Sequence, residues 1–473
     1  MKVLLLAMPD TVSALDSILK IPNLGLCSLA GNLRGCEVKV MDLAFRRKGL
    51  DQLLNETLAE FEPDLVGLSA MSFQYESACH VASLVRSLNR KTRIVLGGYH
   101  ASLMAEEIGR SPEAGLFDFI IRGEAEGTLP ALVQAVGSGV EDLAGLPGVS
   151  YRKGDAFVHN PRAPLLDLDI LGLPNRDARL LESPRFLNLR FDCAETSRGC
   201  ALGCKFCSIA CMYGRAIRFF PLGRVIEDLR ALKARGTQGV FFVDDNITLN
   251  VKRLKSLCEL IVSENLQTMI YVMQASVAGI ASDPELAGRL WEAGFRWVFL
   301  GIESGLERNL KGMGKPGSRE AAFRAVRGLR RQGICVFGGF IVGHPEDDRG
   351  DIEATFRFAY ELGVDHAIVQ VLTPYPRTET RSELLGADLV TNASDYSRYN
   401  GFIANVRTRH LSSEEIGRAV VRSGLKLYFH PLHILRSRLW RHDPALIPPL
   451  IMNNFRFLAQ GLRNRVFASR HCW

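Results

Sequence analysis

The 473-residue sequence predicts two α/β units followed by a helical tail: a doubly wound parallel sheet, then a partial (β/α)6 barrel of the TIM type. Three observations carry this reading. Two separate runs alternate short, β-branched strands with amphipathic helices. A Pro-, Gly- and Asp-rich stretch parts them, and strand signals stop at about Ser394. Expected boundaries are 1–145 for the first unit, 146–185 for a linker, 186–393 for the barrel and 394–473 for the tail. At about 150 residues per domain, the length suits roughly three units. With 47% hydrophobic and 23% charged residues the chain can bury a large core unaided.

In the first unit the expected strands are Lys2 to Ala7, Glu37 to Met41, Asp64 to Ser69, Arg93 to Leu96 and Phe117 to Ile121. Helices such as Asn23 to Leu33 and Ser77 to Leu88 lie between them, with apolar residues three and four apart. Sheets of this kind bind ligands at the carboxyl ends of their strands. The stretch at 146–185 reads as a linker with one small hairpin. The second alternation has strands Asp192 to Thr196, Val240 to Val243, Met269 to Met273, Trp297 to Leu300, Cys335 to Val342 and Ala367 to Leu372. Its helices include Val225 to Ala234, Lys252 to Ser263, Asp283 to Glu292, Arg319 to Arg331 and Asp351 to Glu361. Six such units are too few to close an eight-stranded barrel.

In the tail, Ser412 and Glu415 form a capping box ahead of a helix. Residues 401–473 hold twelve Lys or Arg against three Asp or Glu, so the tail carries the positive excess of a chain whose net charge is +7. Arg interleaved with Leu, Ile, Phe and Trp suits a helix docked on the protein or an interfacial helix on a membrane. No apolar run reaches the roughly 18 residues of a membrane helix, and the amino terminus lacks a signal-peptide pattern. The expected compartment is therefore cytoplasmic, with peripheral contact at the inner membrane face as the tail's second option. A net of +7 is weak for a nucleic-acid binder, and no nucleic acid is expected as a partner.

Eleven cysteines in a cytosolic chain point to metal or redox chemistry, not to a disulfide framework. Cys200, Cys204 and Cys207 stand in RGCALGCKFCS, just beyond the first strand of the second alternation. Three thiolates on one Gly-containing loop can hold three irons of a 4Fe-4S cluster and leave the fourth open to a ligand. A zinc site with a distant fourth ligand, or coincidentally close buried thiols, are the alternatives. Cys211 and Cys193 flank the loop as possible redox or acid–base groups. Cys27, Cys36, Cys79, Cys258 and Cys335 lie in apolar periodic segments and read as packing. Cys472 is expected to be exposed.

The loop Cys200-x-x-x-Cys204-x-Phe206-Cys207 resembles the signature of radical S-adenosylmethionine (SAM) enzymes, and the likeness extends over about residues 190–380. It implies a 4Fe-4S cluster whose open iron chelates SAM, and reductive cleavage to a 5′-deoxyadenosyl radical. The electron would come from an external one-electron reductant of flavodoxin or ferredoxin type. The same resemblance places Phe206 near the adenine and Asp244 and Asn246 at the cofactor's amino end. Glu303 and Ser304 match the ribose- and carboxylate-contacting segment, and Gly339 and Ile341 the strand that borders adenine. Tyr375, in Thr373-Pro374-Tyr375-Pro376, ends the sixth strand at the rim. Cys211 and Tyr375 are the candidates for a catalytic role.

The first unit lacks G-x-G-x-x-G, so a dinucleotide is not favoured. Its layout resembles the Rossmann-like cobalamin-binding domain that precedes many radical enzymes. The matching positions are Leu24 and Gly25 at the first helix, Ser69 and Ser72 after the third strand, Gly97 and Gly98 after the fourth, and Gly123 and Glu124 after the fifth. Small residues at 69, 70, 97 and 98 leave room for a nucleotide tail. Many such domains place Asp-x-His after the first strand. Here Asp10-Thr11-Val12 has valine at that position, which implies that cobalt lacks a histidine ligand, and His100 reads as a cap or packing residue. Together the resemblances imply methylation of an unactivated carbon on a small-molecule, lipid-like or tetrapyrrole-like substrate, through a substrate radical and methylcobalamin. Cyclisation or rearrangement without net methylation, methylthio transfer to tRNA and a non-enzymatic iron–sulfur redox protein are the rivals.

Overall fold

The structure is a computed structural model and describes residues 1–10 and 20–438, apart from 47, 141, 184, 187, 188 and 316. Val12, Cys472 and the tail beyond 438 lie outside the described residues. The chain forms two compact units, which part at about residue 185.

The first unit is a seven-stranded sheet of β1 (Lys2–Ala7), β2 (Glu37–Asp42), β3 (Leu65–Ser69), β4 (Arg93–Gly97), β5 (Phe119–Ile121), β6 (Val149–Lys153) and β7 (Ala156–His159). Their order is β2-β1-β3-β4-β5-β6-β7, with the first five parallel. Strands buried on both faces read as continuous apolar runs, and Val3, Leu4, Leu5 and Leu6 are all essentially without exposure. The chain reverses its winding at β1, so the crevice outside the carboxyl ends of β1 and β3 is where such a sheet takes a ligand.

One expectation is corrected here. The hairpin in 146–185 is not a linker feature: β6 runs antiparallel to β5 and extends the sheet. The chain then returns along the opposite edge, where Leu180 N–H donates to Val40 O and the carbonyl of Leu173 lies against Gly31. Pro and Gly content marks irregular backbone, but such backbone can still be packed.

The second unit holds six parallel strands, β8 (Phe191–Ala194), β11 (Gly239–Phe242), β12 (Ile270–Ser276), β13 (Phe295–Glu303), β14 (Cys335–Val342) and β15 (His366–Val371), in the order β15-β14-β13-β12-β11-β8. Between β8 and β11 the chain forms a two-stranded antiparallel ribbon of β9 (Ser197–Gly199) and β10 (Ile217–Phe219), which the sequence pattern did not announce. β8 and β15 are not paired to each other, so the barrel is open. Residues 395–438 are not a separate body. Helix Ser413–Tyr428, opened by the Ser412–Glu415 capping box, buries Ile416, Ala419, Val420 and Leu427 in the barrel unit. This is the docked alternative for that part of the tail. Among the described residues no helix is long and apolar enough to cross a membrane.

Candidate functional site

Residues beyond the carboxyl end of β8 build the centre of the second unit. Gly199 closes β9 at φ +87°, and a Cβ there would stand 2.3 Å from the carbonyl oxygen of Ala216 on the other limb of the ribbon. Only glycine lets the ribbon turn so tightly into the cysteine loop. Cys204 is buried and Cys200 and Cys207 are half-buried. Burial pushes all three thiols up, Cys207 to about 12, and each pair adds repulsion between developing thiolates. Iron removes that penalty by taking the charge, so the donor set fits a metal cluster better than three free thiols. Among the described residues no group of three or more His, Cys, Asp or Glu is set for a single metal ion. A cubane offers a separate iron to each thiolate, so its ligands need not converge on one point.

Around this loop the polar residues divide into supports and lining. Both oxygens of the fully buried Asp244 are taken by the β8–β9 turn: Thr196 N–H donates at 3.0 Å, Thr196 Oγ1–H at 2.7 Å and Ser197 Oγ–H at 2.5 Å. Asp244 therefore holds the loop from beneath, which corrects the expectation that it faces a cofactor. Burial pushes its carboxyl up to about 6 against these bonds. Its neighbour Asp245 accepts Gly199 N–H at 3.0 Å, and the Asn246 side chain hydrogen-bonds the Cys200 thiol. Asn246 thus does reach the cysteine loop.

Strand β13 carries the second feature. Its pairing with β14 slips between Gly301 and Glu303, and Glu303 takes φ +67°, a conformation that costs a non-glycine residue of order 1 kcal/mol or more. The slip aims the Glu303 carboxylate at Lys315 Nζ, 2.9 Å away, with both side chains largely buried. A Cβ at Gly301 would meet Glu303 Oε1 at 2.8 Å and Lys315 Nζ at 3.2 Å, so the pair lies directly over that glycine. Although burial opposes its charge, Lys315 is raised by Glu303 and by the Cys204 and Cys207 thiols, which places an ammonium beside the cluster loop. Sequence reasoning missed Lys315, twelve residues beyond Glu303 in Lys315-Pro316-Gly317. Ser304 is buried and its Oγ accepts Leu306 N–H, a turn-capping role.

Beyond β14, the buried Asp347 accepts N–H bonds from Gly343 and His344 and a side-chain N–H from Asn309. It fixes the loop after Gly339 and Ile341. A Cβ at Gly339 would meet the ring of Phe299 at 2.7 Å, so this glycine makes room for an aromatic at the strand end. The two catalytic candidates both sit near the loop. Cys211 donates S–H to the carbonyl of Arg377, itself at φ +64°. Burial pushes the Tyr375 hydroxyl up to about 12, with the Cys207 thiol adding to it and a Thr373 hydrogen bond opposing it. Cys193 is wholly buried within β8, as Cys27, Cys258 and Cys335 are in their elements.

In the first unit the strand ends offer space where the second offers charge. A Cβ at Gly123, φ +85°, meets nothing within 4 Å, and one at Gly97 meets only Leu68 O at 3.9 Å. Gly98 differs: at φ +91° its Cβ would stand 2.7 Å from Ala70 O, so it lets the β3 and β4 loops touch. Leu24 is buried and Gly25 exposed in the first turn of a helix capped by Asn23, whose own N–H donates to Asp42 at the end of β2. Ser69 is half-buried, and Ser72 Oγ meets His100 Nδ1 at 3.3 Å. His100 packs against the tilted ring of Tyr75, centroids 4.5 Å apart, and is pushed down to about 4 by burial, as a packing residue would be. Glu124 is corrected: it is buried and accepts the backbone N–H of Leu166 in the return segment, which ties that segment down.

A thiol triad at the strand ends of an open barrel, on the same chain as an open parallel sheet with glycines at its strand ends, defines a two-unit α/β protein suited to a metal cluster and a second ligand. Comparison with known proteins agrees. The radical SAM superfamily matches residues 194–359 and the B12 binding domain matches residues 14–133. An uncharacterized methyltransferase of Pyrococcus horikoshii is 30% identical over 468 residues, covering 97% of this chain and 99% of that protein. The hopanoid C-3 methylase of Methylococcus capsulatus is 29% identical over 378 residues, 79% of this chain and 70% of the methylase. The anaerobic magnesium-protoporphyrin IX monomethyl ester cyclase of Cereibacter sphaeroides is 27% identical over 384 residues, 79% of this chain and 61% of the cyclase. A radical SAM methyltransferase from Kitasatospora setae, solved with cobalamin and a 4Fe-4S cluster, superposes with TM-score 0.69 at 21% identity, over 83% of this chain and 79% of that one. The cobalamin-dependent radical enzyme OxsB gives TM-score 0.70 at 17% identity over 95% and 72%. These two show the fold.

The chain belongs to the cobalamin-dependent radical SAM methyltransferase family. Its cofactors are a 4Fe-4S cluster, SAM and cobalamin, and its enzymes need an external reductant and act on small molecules.

Proposed function

We propose that the protein methylates an unactivated carbon of an apolar small molecule, of lipid or tetrapyrrole type. The observation that carries this reading is the full-length match, over 97% of the chain, to a protein described as a methyltransferase, with both cofactor units retained. A hopanoid methylase among the relatives supports an apolar substrate. When bound, the cluster and SAM supply a radical and cobalamin a methyl group. This chain's residues bind and orient. Cys200, Cys204 and Cys207 hold three irons; Phe206, Asn246, Glu303, Ser304, Gly339 and Ile341 line the SAM site, with Lys315 steadying Glu303. Leu24, Gly25, Ser69, Ser72, Gly97 and Gly123 line the cobalamin crevice. Tyr375 stands at the substrate rim.

The experiment is anaerobic reconstitution with SAM carrying a deuterated methyl group, followed by mass spectrometry of extracts from cells that lack the gene. A new product three deuteriums heavier, with stoichiometric 5′-deoxyadenosine, is the expected result. Deoxyadenosine without label in any product overturns methylation in favour of rearrangement. The tail's exposed Leu432 and Leu435, beside Arg436, support a peripheral hold on an anionic membrane surface. Vesicle co-sedimentation of the L432S/L435S variant should show weaker binding than the unsubstituted chain; equal binding removes this contact.

A further inference from the structure

The first unit's crevice lies at the carboxyl ends of β1 and β3, but a separate cavity opens at the opposite ends of the strands, beside the starts of β4 and β5. It measures about 590 Å3 and lies between helix Tyr75–Leu88, the short turn Pro112–Leu116 and β6. Small-molecule sites span roughly 300–1,000 Å3. Its charges divide into a scaffold and a surplus. Asp118, just before β5, accepts the backbone N–H of Ile94 at 2.8 Å, an N–H of Arg93 at 3.2 Å and one of Arg86. Arg86 spends further donors on the carbonyls of Thr92, at 2.8 Å, and Leu116, at 3.2 Å. These groups satisfy one another and pin the strand starts to the turn.

Arg90 and Arg152 line the same cavity, are exposed, and meet no carboxylate or other side-chain hydrogen-bond partner among the described residues. The Arg152 guanidinium lies over Gly115, one nitrogen 3.5 Å from where a Cβ would stand, so the glycine leaves its approach clear. Ser83 adds an exposed hydroxyl that is likewise without a partner among the described residues. The lone aspartate of the lining is already answered by two arginines, which leaves two cations over a cavity with no anion to spare.

We propose that this cavity binds a phosphate-bearing small molecule of nucleotide size, its phosphate held by Arg90 and Arg152. Guanidinium groups match phosphate oxygens through paired N–H donors, and such charge-assisted bonds are the strong ones. Ser83 supplies a neutral donor beside them. The volume exceeds what a phosphate ion fills, and half-buried Leu116 gives an apolar wall for the rest of the ligand. Neither the cysteine loop nor the glycines at the carboxyl strand ends contribute a residue to this site, so it is independent of both cofactors.

The test is titration calorimetry of the full-length holoenzyme, loaded with SAM and hydroxocobalamin so that neither cofactor site competes, against AMP, ATP and inorganic phosphate. Saturable binding of AMP or ATP with Kd below about 1 mM is expected, with AMP at least about threefold tighter than inorganic phosphate. R90Q/R152Q should raise the Kd about tenfold or more. Gly115→Glu, which sets a carboxylate beside Arg152 without removing either arginine, should raise it as much. R34Q/K48Q, which removes two exposed charges elsewhere on the same unit, should leave it within about twofold. Cobalamin content and melting temperature report the integrity of each variant. No saturable binding of any probe, an unchanged Kd in both R90Q/R152Q and Gly115→Glu, or an equal loss in R34Q/K48Q overturns the site. Equal affinity for AMP and inorganic phosphate overturns the nucleotide-sized ligand.

Discussion

The two units solve the same problem, a cofactor held at the carboxyl ends of parallel strands, by opposite means. The first presents vacancy: Gly97 and Gly123 face open space, and Glu124 is turned away to serve the scaffold. The second presents charge and donors: three thiols, the Glu303–Lys315 pair and carboxylates tied to backbone N–H groups. A large preformed ring system needs room and shape. A cluster and a zwitterionic cofactor need electrostatic partners in a partly dry site. The difference teaches that one site is best attacked by adding volume, the other by removing a ligand or a charge.

The largest effect should come from Cys204→Ser, which removes one of three ligands. Iron and the charge-transfer absorbance of the reconstituted protein should fall nearly to background, while cobalamin bound by the first unit is retained. Equal cofactor loss from both units would break the comparison. Next, Gly98→Val places a side chain 2.7 Å from the Ala70 backbone at a positive φ, and should destabilise the first unit by about 3 kcal/mol. Gly97→Val, into open space, should leave the melting temperature nearly unchanged yet abolish cobalamin retention.

Acid sharpens the contrast. His366 and His433 in the barrel unit, and His100 in the sheet unit, are all pushed down to about 4 by burial. A histidine lowered in the folded state contributes stability that is full above its ordinary value near 6.5 and drains away between about 6.5 and 4, roughly 3 kcal/mol each at most. His344 in the barrel unit and His159 in the sheet unit are lowered by burial too, so with three such residues against two, limited proteolysis between pH 6.5 and 4.5 should open the barrel unit first. The smallest effect is Gly123→Ala. With no atom in the way the cost is that of φ +85°, about 1 kcal/mol, read as a small drop in denaturation midpoint.

Much of this was legible in the sequence. Cys200, Cys204 and Cys207 were visible because one chemistry demands one spacing, and the strand ends because parallel sheets require buried, β-branched runs. What stayed hidden depends on partners far along the chain. Asp244 looks like a site carboxylate until Thr196 and Ser197 are seen consuming its oxygens. Glu124 looks the same until Leu166 folds back on it. Lys315 carries no local signal, since only the register slip in β13 brings Glu303 to it. The β6–β7 hairpin looks like linker in the sequence because turn residues announce reversal but not what the reversed strand pairs with.

The barrel's incomplete closure has a further consequence, in terms of solubility. An open parallel barrel exposes two edge strands, and exposed edges invite pairing between molecules. The β15 edge is occupied from within the chain: Val371 N–H donates to Gly401 O, and Tyr428 O–H donates to Ala367 O. Residues 395–428 thus act as a guard rail against self-association, and a shortened chain ending near 394 would be expected to aggregate even with its cluster loop intact.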